Sequence, residues 1–429
     1  MSEEQAYQQV VGHADMVLIW LQRSGVCPLY ISVFGKDNYN WYGRRGAIPV
    51  VLFDTYAEAI LPFTKRWKSL SLTGIYSSFS SIASISNDDV PSLESLFLNL
   101  RREEHILPDV LLTLWTNSGL FRSPSLRQLC MRDLILDMTQ LQVQWKGLTH
   151  LRLGSAFDDH HDHWSYGSLL ASLSRVLKYC TSLICCQLYL PYLEEYDPAD
   201  AISSMYLPSI KHLTFHETSD SLPFVEKLEI PNAKELDFRS SLEGAGETIV
   251  ALLARTNGNL RKFAMQTEHV SDAHFIECLL QCPNLTVLSL KHIRDRPLPE
   301  FHIDDKLLNL LISQDDTILC PLLEEFKCDF TTDFTFEGFV DFVKEKQSTL
   351  NGRVAKLKRV HIHAVMEFDP STERQEYKLM RPEFQGYIDD GMLFEEHRYG
   401  YENASEPSES FTPTAGLTSE QYTMWDIQI

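Results

Sequence analysis

The chain has 429 residues, enough for two or three ordinary domains or one elongated repeat domain. Its 44% hydrophobic and 11% aromatic content supplies a substantial core, while a net charge of −21 argues against a nucleic-acid-binding surface, which needs clustered Lys and Arg. No apolar run approaches the ~20 residues that a membrane-spanning helix requires.

The first segment, "MSEEQAYQQVVGHADMVLIWLQRSG", opens acidic and has no basic start, apolar core and small-residue cleavage site of a signal peptide. The expected setting is therefore intracellular, cytoplasmic or nuclear, and reducing. Nine cysteines agree with this reading: the number is odd and no C-x-x-C pair occurs, so buried free thiols are expected rather than a disulfide framework or a zinc ribbon. Two further segments, "IWLQRSGVCPLYISV" (19–33) and "IPVVLFDTYAEAILPFTKRWKSLSL" (48–72), lead into the body of the chain.

From Trp67 onward one pattern recurs: apolar-x-x-apolar-x-apolar. It reads "WKSLSL" from Trp67, "LESLFL" from Leu93, "LRQLCM" from Leu126, "LTHLRL" from Leu148 and "LICCQL" from Leu183. It continues as "IKHLTF" from Ile210, "AKELDF" from Ala233, "LRKFAM" from Leu260 and "LTVLSL" from Leu285, then "LEEFKC" from Leu323 and "LKRVHI" from Leu357. Proline stands two residues before the first apolar position at Pro91, Pro124, Pro208, Pro231, Pro283 and Pro321. Cysteine precedes it in "CTSL", "CPNL" and "CPLL". Successive units are 22 to 38 residues apart, within the range of solenoid repeats.

The intervening segments often read as helices. "SLLASLSRVLKYC" carries apolar residues at 169, 170, 173, 176 and 177, one helical face. "VSDAHFIECLLQC" begins with a Ser-Asp cap signal, and "FTFEGFVDFVKEK" repeats the arrangement. Each unit is thus a short strand with a return segment, and one unit cannot bury its own apolar face without stacked neighbours. The expected fold is α/β: a leucine-rich-repeat solenoid of short parallel strands with helical or irregular return segments, capped at both ends. The predicted division is a helical and strand cap over 1–65, the solenoid over 66–366, a closing unit over 367–397 and a disordered tail over 398–429, the tail being rich in Ser, Thr, Glu and Pro.

If the strands line one face, positions two, four and six after the first apolar residue point outward. Those positions in the ten units from Leu93 are mostly polar, the plainly apolar or thiol exceptions being Phe97, Cys130, Cys185, Ala264 and Val287. Arg132, Arg152, Tyr189, His216, Arg239, Lys291 and Arg359 are the candidate partner-binding residues, since Tyr and Arg commonly dominate interface energy.

The flanks carry a family resemblance. Trp20, Leu21, Arg23, Ser24, Gly25, Pro28 and Leu29 in the first segment match a Trp-Leu-x-Arg-Ser-Gly element followed by a Pro-Leu strand. Arg66, Trp67, Leu70 and Leu72 match an Arg-Trp-x-x-Leu-x-Leu element, and "FQGYIDDGMLFEEH" (384–397) matches a helix-plus-Gly closing unit. In these residues the chain resembles the F-box-associated leucine-rich-repeat proteins of mushroom-forming fungi. That family usually begins with an F-box bearing Leu-Pro-x-Glu, which docks the Skp1 subunit of a ubiquitin ligase; no stretch here matches it. The resemblance therefore implies Skp1 as a partner only if an F-box lies upstream.

Candidate chemistry is sparse. "FDDHHDHW" (157–164) gathers hard and imidazole donors, and a metal-dependent enzyme built on residues 158–163 is the alternative it suggests; a polar loop is the favoured reading. "HIH" at His361 to His363 puts two imidazoles on one strand face. No Gly-x-Gly-x-x-Gly, Walker loop or Gly-x-Ser-x-Gly occurs. The expected protein is a non-catalytic scaffold, with no cofactor, no metal, no nucleic acid and no membrane, that recognises a protein partner through the concave strand face.

Overall fold

The computed structural model describes residues 3–34, 39–40, 44–45, 51–101, 113–132, 138–154, 169–190, 202–217, 222–240, 242–267, 269–291, 303–312, 318–329, 334–348, 354–365 and 381–399. The 157–164 cluster and the tail from 400 lie outside these residues. The chain divides into two compact units, Met1–Ser209 and Ile210–Ile429.

The first unit is a ladder of six parallel strands: β1 (Leu29–Phe34), β2 (Trp67–Ile75), β3 (Ser95–Arg101), β4 (Gln128–Met131), β5 (His150–Leu153) and β6 (Cys185–Leu190). The second is a ladder of seven: β7 (His212–Glu217), β8 (Glu235–Ser240), β9 (Lys262–Thr267), β10 (Val287–Lys291), β11 (Glu325–Asp329), β12 (Arg359–Val365) and β13 (Leu393–Tyr399). Each of the eleven repeat hexamers supplies one strand. Two further strands, β1 and β13, extend the ladders beyond the repeats. The fold is a leucine-rich-repeat solenoid.

The odd spacing of the hexamer has a direct cause. Side chains alternate across a strand, so the second and third apolar residues share one face, while the first packs inward from the turn before the strand. Every inward side chain of the eleven units is at most 4% exposed. Register keeps them in rows: Leu213 stands beside Leu236, Phe263, Leu288, Phe326 and Val360 in turn, and Phe215 beside Phe238, Met265, Leu290, Cys328 and Ile362. Burial of such side chains is worth about 1.5–3 kcal/mol each, and stacking alone makes it available.

The flanking residues build the turn. The first apolar N–H donates to a carbonyl three residues back, as in Leu285 to Cys282 (3.1 Å), Leu183 to Cys180 (3.1 Å) and Leu323 to Cys320 (3.0 Å). Proline then occupies the second turn position, where its fixed φ costs nothing. The cysteines of "CTSL", "CPNL" and "CPLL" hold equivalent sites facing the core, and burial pushes the Cys180 and Cys320 thiols up to about 12. All nine cysteines are free and eight are buried, but Cys27 is exposed because it lies in the turn after the first helix.

Two hydrogen-bond ladders join successive units. The carbonyls of Lys211, Lys234, Arg261, Thr286 and Glu324 each accept two N–H groups from the next repeat, at 2.7–3.2 Å. One residue before the first apolar position, a short polar side chain donates to the preceding turn: Ser125 to Pro91 O (2.8 Å), Ser209 to Thr181 O (2.7 Å), Asn259 to Pro231 O (3.1 Å) and Asn284 to Gly258 O (2.9 Å).

Return segments differ between the units. In the first they include the 3-10 turns Gly119–Arg122 and Trp145–Gly147 and the helix Leu169–Leu177. In the second they include the helices Leu222–Glu226, Ala245–Ala254, Asp272–Leu280, Asp305–Leu310 and Phe336–Gln347. The expected Ser271 cap forms, its hydroxyl accepting the His274 N–H at 3.3 Å. Ahead of the first ladder, helix Glu3–Arg23 ends at Ser24 and Gly25, the latter at φ +58. Arg66 holds that end in place, donating to Leu21 O (3.1 Å), Ser24 Oγ (2.5 Å) and Cys27 O (3.0 Å). No helix among the described residues is long and apolar enough to cross a membrane.

Candidate protein-binding face

The outward positions form three columns per unit, and the two units present different chemistry. In the first, the middle column runs Ser71, Phe97, Cys130, Arg152 and Gln187. Two cation–π pairs stand on it: the Arg132 guanidinium over the Phe97 ring at 5.4 Å and Arg152 over Tyr189 at 5.0 Å. Arg152 and Tyr189 are only 3% and 4% exposed. The outward alternation places them on the expected face, but as a mutually packed pair rather than as free contacts. Gly154 (φ +83) makes their packing possible, since a Cβ there would meet the Tyr189 carbonyl oxygen at 1.8 Å. Burial pushes the neighbouring Cys130 thiol up to about 11, although Arg152 and Arg132 pull it down.

The second unit presents a half-exposed, charged face. Its first column is His212, Glu235, Lys262, Val287, Glu325 and Arg359; its middle column is Thr214, Asp237, Ala264, Ser289, Lys327, His361 and Glu395. Glu235 lies 3.3 Å from His212 and 3.6 Å from Lys262. Partial burial raises its pKa, but the neighbouring His212 and Lys262 outweigh that, so the carboxyl sits below its ordinary range. Glu325 is shared by Arg359 (3.6 Å) and Lys327 (3.9 Å). Arg239 grips Asp237, two residues back on the same strand, through two bonds of 3.1 and 3.2 Å. His361 meets Glu395 at 2.9 Å.

The structure places the seven sequence-predicted residues as follows. Arg132, Arg152 and Tyr189 belong to the cation–π pairs of the first unit. His216, Arg239, Lys291 and Arg359 lie on the face of the second, Arg239 and Arg359 already in ion pairs. Sequence reasoning did not single out Lys262, Glu325 and Lys327, which the same outward rule reaches at positions two and four. Among the described residues no three His, Cys, Asp or Glu side chains converge as a metal-binding group.

No family model matches the chain. No curated protein matches it either. Among solved structures it is similar to an internalin (inlF) from Listeria monocytogenes str. 4b F2365, at 12% identity and a TM-score of 0.35, over 73% of this chain and 72% of that one. The solenoid assignment rests on the ladders and their buried rows.

Proposed function

We propose that the chain is a protein-interaction scaffold that recognises its partner through the strand face of Ile210–Ile429. One observation carries the reading: the outward columns there are in register and mostly polar and half-exposed, with Thr214, Ala264 and Ser289 as buried exceptions, while the apolar repeat residues alternating with them are all buried. A rigid ladder presents such side chains at low entropic cost, which is how repeat proteins bind. His216, Arg239, Lys291 and Arg359 are the proposed contacts, with Arg132, Arg152 and Tyr189 as a pre-packed counterpart in the first unit. The test is site-specific photo-crosslinking in extract, with benzophenone at Gln266 on the face or at Glu277 on helix Asp272–Leu280. A partner captured from Gln266 and not from Glu277 supports the reading; capture from Glu277 alone refutes it. The Arg66 contacts favour a second reading, because they join the two motifs of the F-box-associated resemblance: a substrate-recognition subunit of a ubiquitin ligase. Failure of full-length protein to co-purify with Skp1 refutes that one.

A further inference from the structure

Between β9 and β12 the face has an unusual floor. Ala264 and Ser289, adjacent in register, are small and almost fully buried, and Val287 beside them is short. Long cationic side chains surround this floor: Lys262 on β9, Lys291 on β10, Lys327 on β11 and Arg359 on β12. The result is a shallow basin with cationic walls.

Its charge does not balance. Glu235 serves Lys262, and Glu325 is divided between Lys327 and Arg359. Lys291 has no ion-pair partner among the described residues. Asp237, in register beside Ala264, is held by Arg239, so among the described side chains the four cations face only Glu235 and Glu325. This local surplus sits in a chain of net charge −21. Partial burial holds the Lys327 ammonium below its ordinary range; Glu325 opposes that, and Arg359, Lys262 and Lys291 add to it. An anion entering the basin would relieve this crowding.

We propose that the basin bordered by Lys262, Lys291, Lys327 and Arg359 is the docking site for an acidic peptide segment of a protein partner, bound through its Asp or Glu carboxylates. The inference rests on the face being the binding surface, and it adds the chemistry of the occupant. Size and charge favour a peptide over a nucleic acid. Three strand spacings separate β9 from β12, roughly 14 Å, which suits two or three carboxylates on an extended segment. A nucleic-acid backbone would continue past the basin onto a strongly acidic protein.

The experiment is fluorescence anisotropy of the full chain with a labelled hexaglutamate peptide, alongside a Gly-Ser peptide and a short oligothymidylate. Hexaglutamate is expected to bind, more weakly as salt shortens the Debye length, and the Gly-Ser peptide is not. Lys291→Glu with Lys327→Glu lowers the hexaglutamate affinity about tenfold or more, with an unchanged circular-dichroism melt showing the fold intact. Equal binding by wild type and variant, or no binding by wild type, overturns the proposal. Tighter binding of the oligothymidylate also overturns it, in favour of nucleic acid. If hexaglutamate fails while crosslinking from Gln266 still captures a partner, the occupant is wrong and the face reading stands; loss of both removes the face as well.

Discussion

Replacing Lys346 by Met should stabilise the protein at neutral pH. Lys346 lies in the last turn of helix Phe336–Gln347 and is 0% exposed. Its Nζ has no hydrogen-bond partner among the described residues. The nearby Cys320 thiol, pushed up to about 12, carries no charge at neutral pH to pair with it. Burial therefore drives the Lys346 amine down from 10.5 to about 8, a shift that a thiolate at Cys320 would oppose. The unfolded chain binds the proton more tightly, so stability rises with pH between the two values and is lowest below the folded one. The penalty is about 3 kcal/mol at pH 7 and falls to about 1 kcal/mol at pH 10. Methionine keeps the unbranched stem and fits the same space, so Lys346→Met should recover most of it. Urea unfolding of both proteins at pH 7 and pH 10 isolates the effect, because the buried thiols titrate alike in each. A variant no more stable than wild type at pH 7, or a gain equal at both pH values, would refute the reasoning.

Three further outcomes are expected. Gly154→Ala should destabilise by about 3 kcal/mol or more, since it places a Cβ at positive φ against the Tyr189 carbonyl; a thermal melt within a degree of wild type would contradict the packing described. Asn284→Ala should cost about 1 kcal/mol by removing the bond to Gly258 O, and Asn259→Ala about the same through Pro231 O; denaturant midpoints measure both. Titration with a thiol reagent should detect Cys27 alone in the native protein and all nine cysteines in denaturant; rapid native labelling of several would show that the repeat cores are open.

The solenoid was legible because burial acts on one residue at a time. Leu285, Leu288 and Leu290 are apolar whatever stands next to them, and a single sequence shows the three-two spacing that puts them on one side. The turn was partly legible: Pro283 and Cys282 announced themselves by recurrence. The Ser and Asn residues just before the first apolar position were equally regular, at Ser125, Ser209, Asn259 and Asn284, yet their purpose depends on a carbonyl one repeat away. Lys346 follows the same logic. The stripe Phe339, Phe342, Val343 reaches it at helical spacing, and all four are fully buried, but a lysine at the end of a helix reads from sequence as solvated.

The face was legible only as a set of directions. Alternation says that Arg152 and Arg359 point the same way relative to their strands; it says nothing of what meets them there. Arg152 finds an aromatic ring two positions along the next repeat strand and is buried, because Gly154 lets the two strands close. Arg359 finds Glu325, in register on the strand before it, and remains half-exposed. Both outcomes are set by pairs of residues 37 and 34 positions apart in the chain, brought side by side by stacking. Repeat register turns such distant positions into neighbours, so the chemistry of a repeat face is written across units rather than within one. Charge balance on that face is consequently a property of rows: the surplus around Ser289 emerges only when Lys262, Lys291, Lys327 and Arg359 are counted together against the carboxylates that register places among them.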